Sequence, residues 1–355
     1  MSLRSDLGFS VYCASFSRDR QHLASLWRRG ARVFTSLHIS EENGASYVGT
    51  ATEMCCFLHD TGYEIIADVS KRTLEMFGET DIVRLARRLH IDVLRFDYGF
   101  SVQEMARIGE QMPVCINASV FNEGDVALIV RNSPKVYALH NFYPRPETGL
   151  DEQFFAANNA RLRELGVTPW AFIPGDCNLR APLHEGLPTL EAHRGVSPWA
   201  CFNDMVQNYG MEQVFVGDGL VSDSEMRFFD DFRKDGIIDV PVVLTDAGSS
   251  LDGAVFTVRA DSPHRVMRMQ ESREYSCFGK EIEPASCTGR ERGSVTIDNI
   301  NYKRYSGEIQ IVRKTLPADE RVNVIGRIPE KYLLLLDSIP NNARIRLISE
   351  NRRSL

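Results

Sequence analysis

The sequence predicts an α/β protein: a (β/α)8 barrel followed by a small, mostly β barrel domain. Three observations carry this reading. Eight short apolar runs alternate with helical stretches over about 235 residues, the pattern of parallel strands joined by helical crossovers. The first run ends at Tyr12-Cys13-Ala14-Ser15-Phe16, without the glycine-rich phosphate turn that an open, doubly wound sheet would place there. From Val240 onward the texture changes to short strand-like runs between turns.

The strand-like runs are Leu7–Cys13, Arg32–Ile39, Glu64–Ser70, Val93–Gly99, Val114–Ser119, Val136–Asn141, Thr168–Gly175 and Gln213–Gly219. Helical spacing of apolar positions fills the intervals, over Arg18–Arg29, Ser46–Asp60, the turns before Leu89, Ser101 onward, Val126–Arg131, Asp151–Leu165, Ser197 onward and Ser222–Arg233. Gly30 and Gly62 punctuate two of these helices, and Ser101 with Glu104 forms a capping box at the start of another. The boundary between the domains is expected at 238/239. Strands are expected in the second domain at Val242–Leu244, Ala254–Arg259, His264–Met269, Ser294–Ile297, Glu308–Val312, Val322–Gly326 and Ala343–Ile348, with one short helix over Glu330–Leu336.

Composition bounds the function. The 355 residues carry a net charge of −7, which offers no basic surface for nucleic acid. No apolar run approaches the ~20 residues of a membrane helix. The polar start Met1–Asp6 has no signal-peptide character, and the eight cysteines show no C-x-x-C spacing, so a reducing, cytoplasmic setting is expected.

In a (β/α)8 barrel the chemistry sits at the carboxyl ends of the strands. Those ends supply Tyr12 and Ser15; Thr35, Ser36, His38 and Glu41; Asp68; Arg95, Asp97 and Tyr98; Asn117 and Ser119; His140, Asn141, Tyr143, Arg145 and Glu147; Asp176, Arg180, His184, Glu185, Glu191, His193 and Arg194; and Asp218. The loop from His140 to Gly149 is stiffened by Pro144 and Pro146. No H-x-H or H-E-x-x-H pattern points to a metal, no lysine stands at a strand end for Schiff-base chemistry, and no G-x-S-x-G elbow is present. No cofactor and no metal are therefore expected. What remains is an excess of carboxylates interleaved with aromatics, the pattern of glycoside hydrolysis. A basic counterweight (Arg145, Arg180, His184, His193, Arg194) suits a substrate with a phosphate or carboxylate. Pairing of these arginines with Glu147, Glu185 and Glu191 to hold loops is the structural alternative.

The segments Phe34–Ile39, Ile66–Ser70, Leu94–Phe100, Asn117–Ser119, His140–Leu150 and Phe172–Arg194, with Gly293–Asn299 and Arg304–Gln310 in the second domain, resemble the bacterial 6-phospho-N-acetylmuramidase family, long filed under the label "outer surface protein". The resemblance spans nearly the whole chain. It implies a TIM barrel followed by a cyclophilin-like β domain. It also implies a cytoplasmic glycosidase of cell-wall sugar recycling that cleaves a 6-phosphorylated amino-sugar disaccharide. The chain departs from that pattern at Cys177 and Ala181, where glycine is usual, at His184, where tyrosine is usual, and in the loop Gly217–Ser224.

Taken together, these readings name Asp97 and Asp176 as the carboxylate pair, with Glu147 and Glu185 in reserve. His38, Asn117, His140, Asn141, Tyr143 and Asp218 are expected to hold sugar groups, and Arg145, Arg180 and His193 the anionic group. The expected partner is a small phosphorylated sugar. Tyr302, Tyr305 and Arg327 are open to three uses: closing over the barrel mouth, a homodimer contact or a purely structural role. A non-catalytic phosphosugar sensor, or a phosphosugar lyase or isomerase, are the alternatives on the same barrel.

Overall fold

The computed structural model describes residues 6–37, 46–276 and 281–350, with only the main chain of 274–276. The first half alternates strand and helix: β1 (Asp6–Ser10), α1 (Cys13–Leu26), β2 (Arg32–Ser36), α2 (Tyr47–Thr61), β3 (Glu64–Val69), α3 (Lys71–Met76), α4 (Ile82–Arg88), β4 (Val93–Phe96), α5 (Val102–Gly109), β5 (Val114–Asn117), α6 (Glu123–Asn132), β6 (Val136–Leu139), α7 (Glu152–Glu164), β7 (Thr168–Ile173), α8 (Pro198–Gln207), β8 (Gln213–Val216) and α9 (Asp223–Asp235). Strands β1 to β8 close into a parallel barrel in sequence order, with β8 returning to pair with β1. The expected TIM barrel is what forms.

Alternation along each strand sends every second side chain inward. The inward set is an apolar cluster of Phe34, Ile66, Val93, Cys115, Tyr137, Leu139, Trp170, Phe172 and Phe215. One layer below it Arg32 donates to Glu64 (2.7 Å) and Gln213 (3.1 Å) and lies over Trp170, so the amino-terminal end is plugged by a satisfied polar group. Gly8 belongs to the same layer as Phe215. A Cβ there would meet that ring at 2.6 Å, and a larger residue would push Phe215 out of the barrel core.

Two helix boundaries differ from the sequence expectation. α1 begins at Cys13, not Arg18: Tyr12 is still extended and the chain turns helical at the next residue. α6 begins at Glu123 because Asn122 accepts the amide of Asp125 and caps it. The capping box at α5 forms as expected, with Glu104 Oε2 accepting from the amide of Ser101 at 2.7 Å.

The chain divides into two compact units, 3–198 with 209–222, and 199–208 with 223–355. In the second unit Trp199 of α8 lies among Phe202, Phe228, Phe229 and Phe232, and its indole Nε1 donates to the carbonyl of Asp239. This aromatic packing joins α8 and α9 within the second unit. The unit continues with β9 (Ile238–Leu244), β10 (Val255–Thr257), β11 (Val266–Arg268), α10 (Gln270–Ser276), β12 (Ser294–Asp298), β13 (Ile309–Val312), β14 (Val322–Arg327), α11 (Leu335–Ser338) and β15 (Arg344–Ser349). Its described strands form a seven-stranded sheet, in the order β10-β15-β9-β14-β12-β13-β11, that curls into a half-barrel.

Asp298, at the end of β12, is buried. Burial, with Glu308 and Asp319 nearby, pushes its carboxyl up to about 7. A proton held more tightly in the folded than in the unfolded chain weakens the fold as pH rises from about 4 towards 7. Asp298→Asn carries no charge to desolvate. It is expected to raise Tm by several degrees at about pH 8, roughly 2 kcal/mol, and to change it little at about pH 4. Scanning calorimetry at the two pH values checks the sign.

Candidate active site

The carboxyl-terminal mouth of the barrel is lined by the inward positions one layer above the aromatic core. Ser10 pairs in register with inward Phe34, so β1 brings Ser10 and then Tyr12 to this face. β2 brings Ser36, β3 Asp68, β4 Arg95 and β5 Asn117. Asp97 follows Arg95 by two positions, and its amide still donates to the carbonyl of Val69 at 3.1 Å. The ladder therefore runs past the end of β4 and keeps Asp97 on the face of Arg95. Asp97 is exposed and the adjacent Tyr98 is 51% exposed.

Arg95 is the centre of a buried network. Its Nη1 pairs with Asp68 Oδ1 at 2.8 Å, and its Nη2 donates to Asn141 Oδ1 at 2.6 Å. Burial opposes the charge of the guanidinium, yet Asp68 keeps its pKa raised, and Asp97 adds to that attraction. Below it the Cys115 thiol is pushed up to about 12 by burial. Asn141, expected as a sugar ligand, spends its side-chain oxygen on this network.

His140 was also expected to face the substrate, and the structure corrects this. The strand phase turns it outward, where it is fully buried against Phe155. Both ring nitrogens are engaged, Nε2 with Asn159 at 2.9 Å and Nδ1 with Ser119 at 3.3 Å. Burial depresses its pKa to about 4, against the hydrogen bond to Asn159 Oδ1 and with Arg95 nearby. It is a neutral brace behind the mouth. His193 is likewise fully buried and presents no surface to a ligand. His38 lies outside the described residues.

Asp218, another expected sugar ligand, is buried and saturated by main-chain donors. Its Oδ2 accepts from the amides of Gly175 and Leu187, both at 2.9 Å, and its Oδ1 from that of Arg180 at 3.0 Å. It organises the loop after β7. A Cβ at Gly217 would strike the carbonyl of Leu187 in that loop, so glycine is what allows the approach. Asp176 is exposed, but its two oxygens accept from the amide (2.7 Å) and hydroxyl (2.5 Å) of Ser222. The carboxylate clips the β7 loop to the β8 loop. Asp176, expected as one of the two reacting acids, thus stands exposed with its oxygens on Ser222.

The loop beginning at His140 is held by Glu191 and Arg194. Glu191 accepts from the amides of Glu147 and Gly149, both at 2.8 Å, and from Arg194 Nε at 2.6 Å. Arg194 foremost, and then those amides, hold its carboxyl down to about 2 against burial. Arg194 also donates to the carbonyls of Glu185 and Gly186 on one loop and of Tyr143 and Arg145 on the other. One ion pair thus staples the β6 and β7 loops together. Glu147, left-handed at φ 69°, and Glu185 stand exposed on the stapled loops. Arg145 is exposed and Tyr143 half-buried beside them. Asn117 Oδ1 caps the amide of Ser119 at 2.9 Å. The guanidinium of Arg180 lies 3.9 Å from the ring centre of Tyr12, whose hydroxyl donates to the carbonyl of Gly217 at 2.7 Å.

The mouth therefore gathers Asp68, Arg95, Asp97, Asn141, Tyr12 and Arg180. Asp68 and Arg95 stand at strand ends in the sequence without an expected binding role, and Tyr12 is one of the rings open to stacking on a sugar face. The signal for the first two was the inward phase shared by Ile66 with Asp68 and by Val93 with Arg95 and Asp97. Among the described residues no cluster of three or more His, Cys, Asp or Glu has the arrangement of a metal site. No described helix is long and apolar enough to cross a membrane.

Comparison with known proteins adds a family. The profile described as "6-phospho-N-acetylmuramidase, N-terminal" matches residues 7–231, and the one described as "6-phospho-N-acetylmuramidase, C-terminal" matches residues 243–348. No curated protein matches the chain. Among solved structures, a conserved Enterococcus faecalis protein of unknown function is 30% identical with a TM-score of 0.83, over 98% of this chain and 97% of that one. An uncharacterised B. cereus protein is 24% identical with a TM-score of 0.75, over 97% and 99%; that likeness concerns the fold.

Proposed function

The chain belongs to the 6-phospho-N-acetylmuramidase family, and on that premise we propose that it hydrolyses the glycosidic bond of a 6-phosphorylated amino-sugar disaccharide. The observation that carries the reading is the exposed Asp97, which follows buried Arg95 by two positions at the end of β4 and so shares its inward face. Glycoside hydrolysis needs one ionised carboxylate, as nucleophile or base, and one carboxylic acid to protonate the leaving oxygen. Asp97, beside Arg95, has the first role. Glu147 and Glu185, exposed and without an arginine partner among the described residues, are the candidates for the second. Asp176 holds the β8 loop in place.

Arg145 and Arg180 supply positive charge for the phosphate or a substrate carboxylate. Tyr98 offers an exposed ring for a sugar face, and Asn117 an amide for a hydroxyl or acetamido group. The β half-barrel is read as the family's cyclophilin-like domain. The seven cysteines of the described residues are free thiols, which suits work in the reducing cytoplasm.

Incubation with a 6-phosphorylated amino-sugar disaccharide in oxygen-18 water, followed by mass spectrometry, tests this. Hydrolysis yields two monosaccharides and one heavy oxygen, on the anomeric carbon of the phosphorylated glycone. An unsaturated, unlabelled product would replace the reading by a lyase. Tight binding without product would replace it by a sensor.

A further inference from the structure

We infer that Glu147 contacts the substrate, and that its strained backbone is retained because a carboxylate is needed at that point of the β6 loop. The inference rests on the proposed function and deepens it by assigning one residue of that loop to the substrate. Glu147 has φ 69°, a left-handed conformation that an L side chain adopts only at a cost. Glycine adopts it freely, and the segment after β7 uses glycine in this way at Gly186 (φ 81°) and Gly195 (φ 72°). The surroundings hold Glu147 there. Glu191 accepts the amides of Glu147 and Gly149, and Arg194 fixes both oxygens of Glu191, through Nε at 2.6 Å and Nη2 at 2.8 Å. Leu150 donates to the carbonyl of Thr189 at 2.9 Å, and a Cβ on Gly149 would meet the amide nitrogen of Glu191 at 2.6 Å. The β6 loop therefore lies too close on residues 189–191 for its backbone to relax.

Two other non-glycine residues on these loops are left-handed, and each has a local reason. Asn178 (φ 50°) is of a type that tolerates the conformation. His184 (φ 57°) uses its ring within the loop, where Nδ1 donates to the carbonyl of Leu179 at 2.6 Å. Glu147 has neither. Its carboxylate is exposed and makes no hydrogen bond or ion pair among the described residues. Nothing in the described fold uses the side chain for which the strain is borne. Strain of this kind persists where the surroundings over-determine it, and it gathers at ligand sites. The same loop carries Tyr143 and Arg145 at the carboxyl-terminal end of the barrel. A carboxyl group there can accept hydrogen bonds from the hydroxyl or acetamido N–H groups of a sugar or, when protonated, serve a departing oxygen.

The experiment measures Tm and kcat/KM of the full-length protein on a 6-phosphorylated amino-sugar disaccharide. Glu147→Gly relieves the backbone and removes the carboxylate, whereas Glu147→Gln keeps the strain and removes only the charge. The glycine variant is expected to gain about 1–3 °C in Tm and the glutamine variant to stay within about 1 °C of the parent. Both are expected to lose at least about 20-fold in kcat/KM. His90→Gly is the control. His90 is left-handed too (φ 56°) but precedes β4, at the opposite end of the barrel, so kcat/KM is expected to stay at the parent value. Parental kcat/KM in either Glu147 variant overturns the inference. So does a Tm that fails to rise in Glu147→Gly, or a loss in His90→Gly as large as that in Glu147→Gly. Carbon-13 NMR of the Glu147 carboxyl, assigned by difference from Glu147→Gln, reads the contact without turnover, and its signal is expected to shift on adding the disaccharide. A shift without turnover upholds this inference and removes the hydrolase reading. Turnover with an unmoved signal does the reverse.

Discussion

Asp97→Asn is expected to lower kcat by about 1,000-fold or more while leaving KM within a few fold. The substitution keeps the shape of the side chain and removes the charge that would attack the sugar or activate water. Affinity is expected to survive because it comes from other groups: Arg145, Arg180 and the exposed ring of Tyr98 stand on separate elements. Steady-state kinetics on the phosphorylated disaccharide gives both parameters. Retention of more than about a tenth of the parent turnover would remove Asp97 from the reaction. The same assay sorts the acid. Glu147→Gln and Glu185→Gln are compared on the natural leaving group and on an activated aryl glycoside, which needs no protonation to depart. The true acid is the one whose loss is large on the first substrate and small on the second.

Asp218→Asn is expected to cost roughly 2–4 kcal/mol of stability and to lower kcat/KM at least tenfold. The carboxylate accepts three main-chain N–H groups. The isosteric amide offers one oxygen for them and turns an NH2 group towards at least one donor. A buried N–H loses its acceptor, and the loop that carries Arg180 and Glu185 loses its anchor. Thermal denaturation and kcat/KM are read together. An Asn variant as stable as the parent would mean that the loop is held chiefly by Arg194 and by the Asp176–Ser222 clip. Loss of stability with unchanged kinetics would mean that the loop does not bear on the substrate.

The sequence reading succeeded wherever the relevant pattern is local. Strand–helix alternation and the run of polar groups at strand ends placed the barrel and its mouth, because inward phase follows from counting by twos along each strand. The same counting puts Asp97 on the face of Arg95. The reading failed where a side chain is used by a distant loop. His140 was read as a ligand from its place in a chemically rich loop, but one residue of strand phase puts it on the outer face, against Phe155 and Asn159. Asp218 and Asp176 looked equivalent to Asp97 as acids at strand ends. Their partners lie 31 to 46 residues away in the chain, a separation that no periodicity reports.

The amino-acid sequence by itself determined the barrel, its order of strands and the ring of polar groups at one end, since propensity, turn residues and alternation act over a few residues at a time. Only the tertiary structure decided which of those groups stay available. Asp218, saturated by buried amides, belongs to the scaffold, whereas Asp97 and Glu185 stand exposed at the mouth. That distinction depends on which loops meet in space.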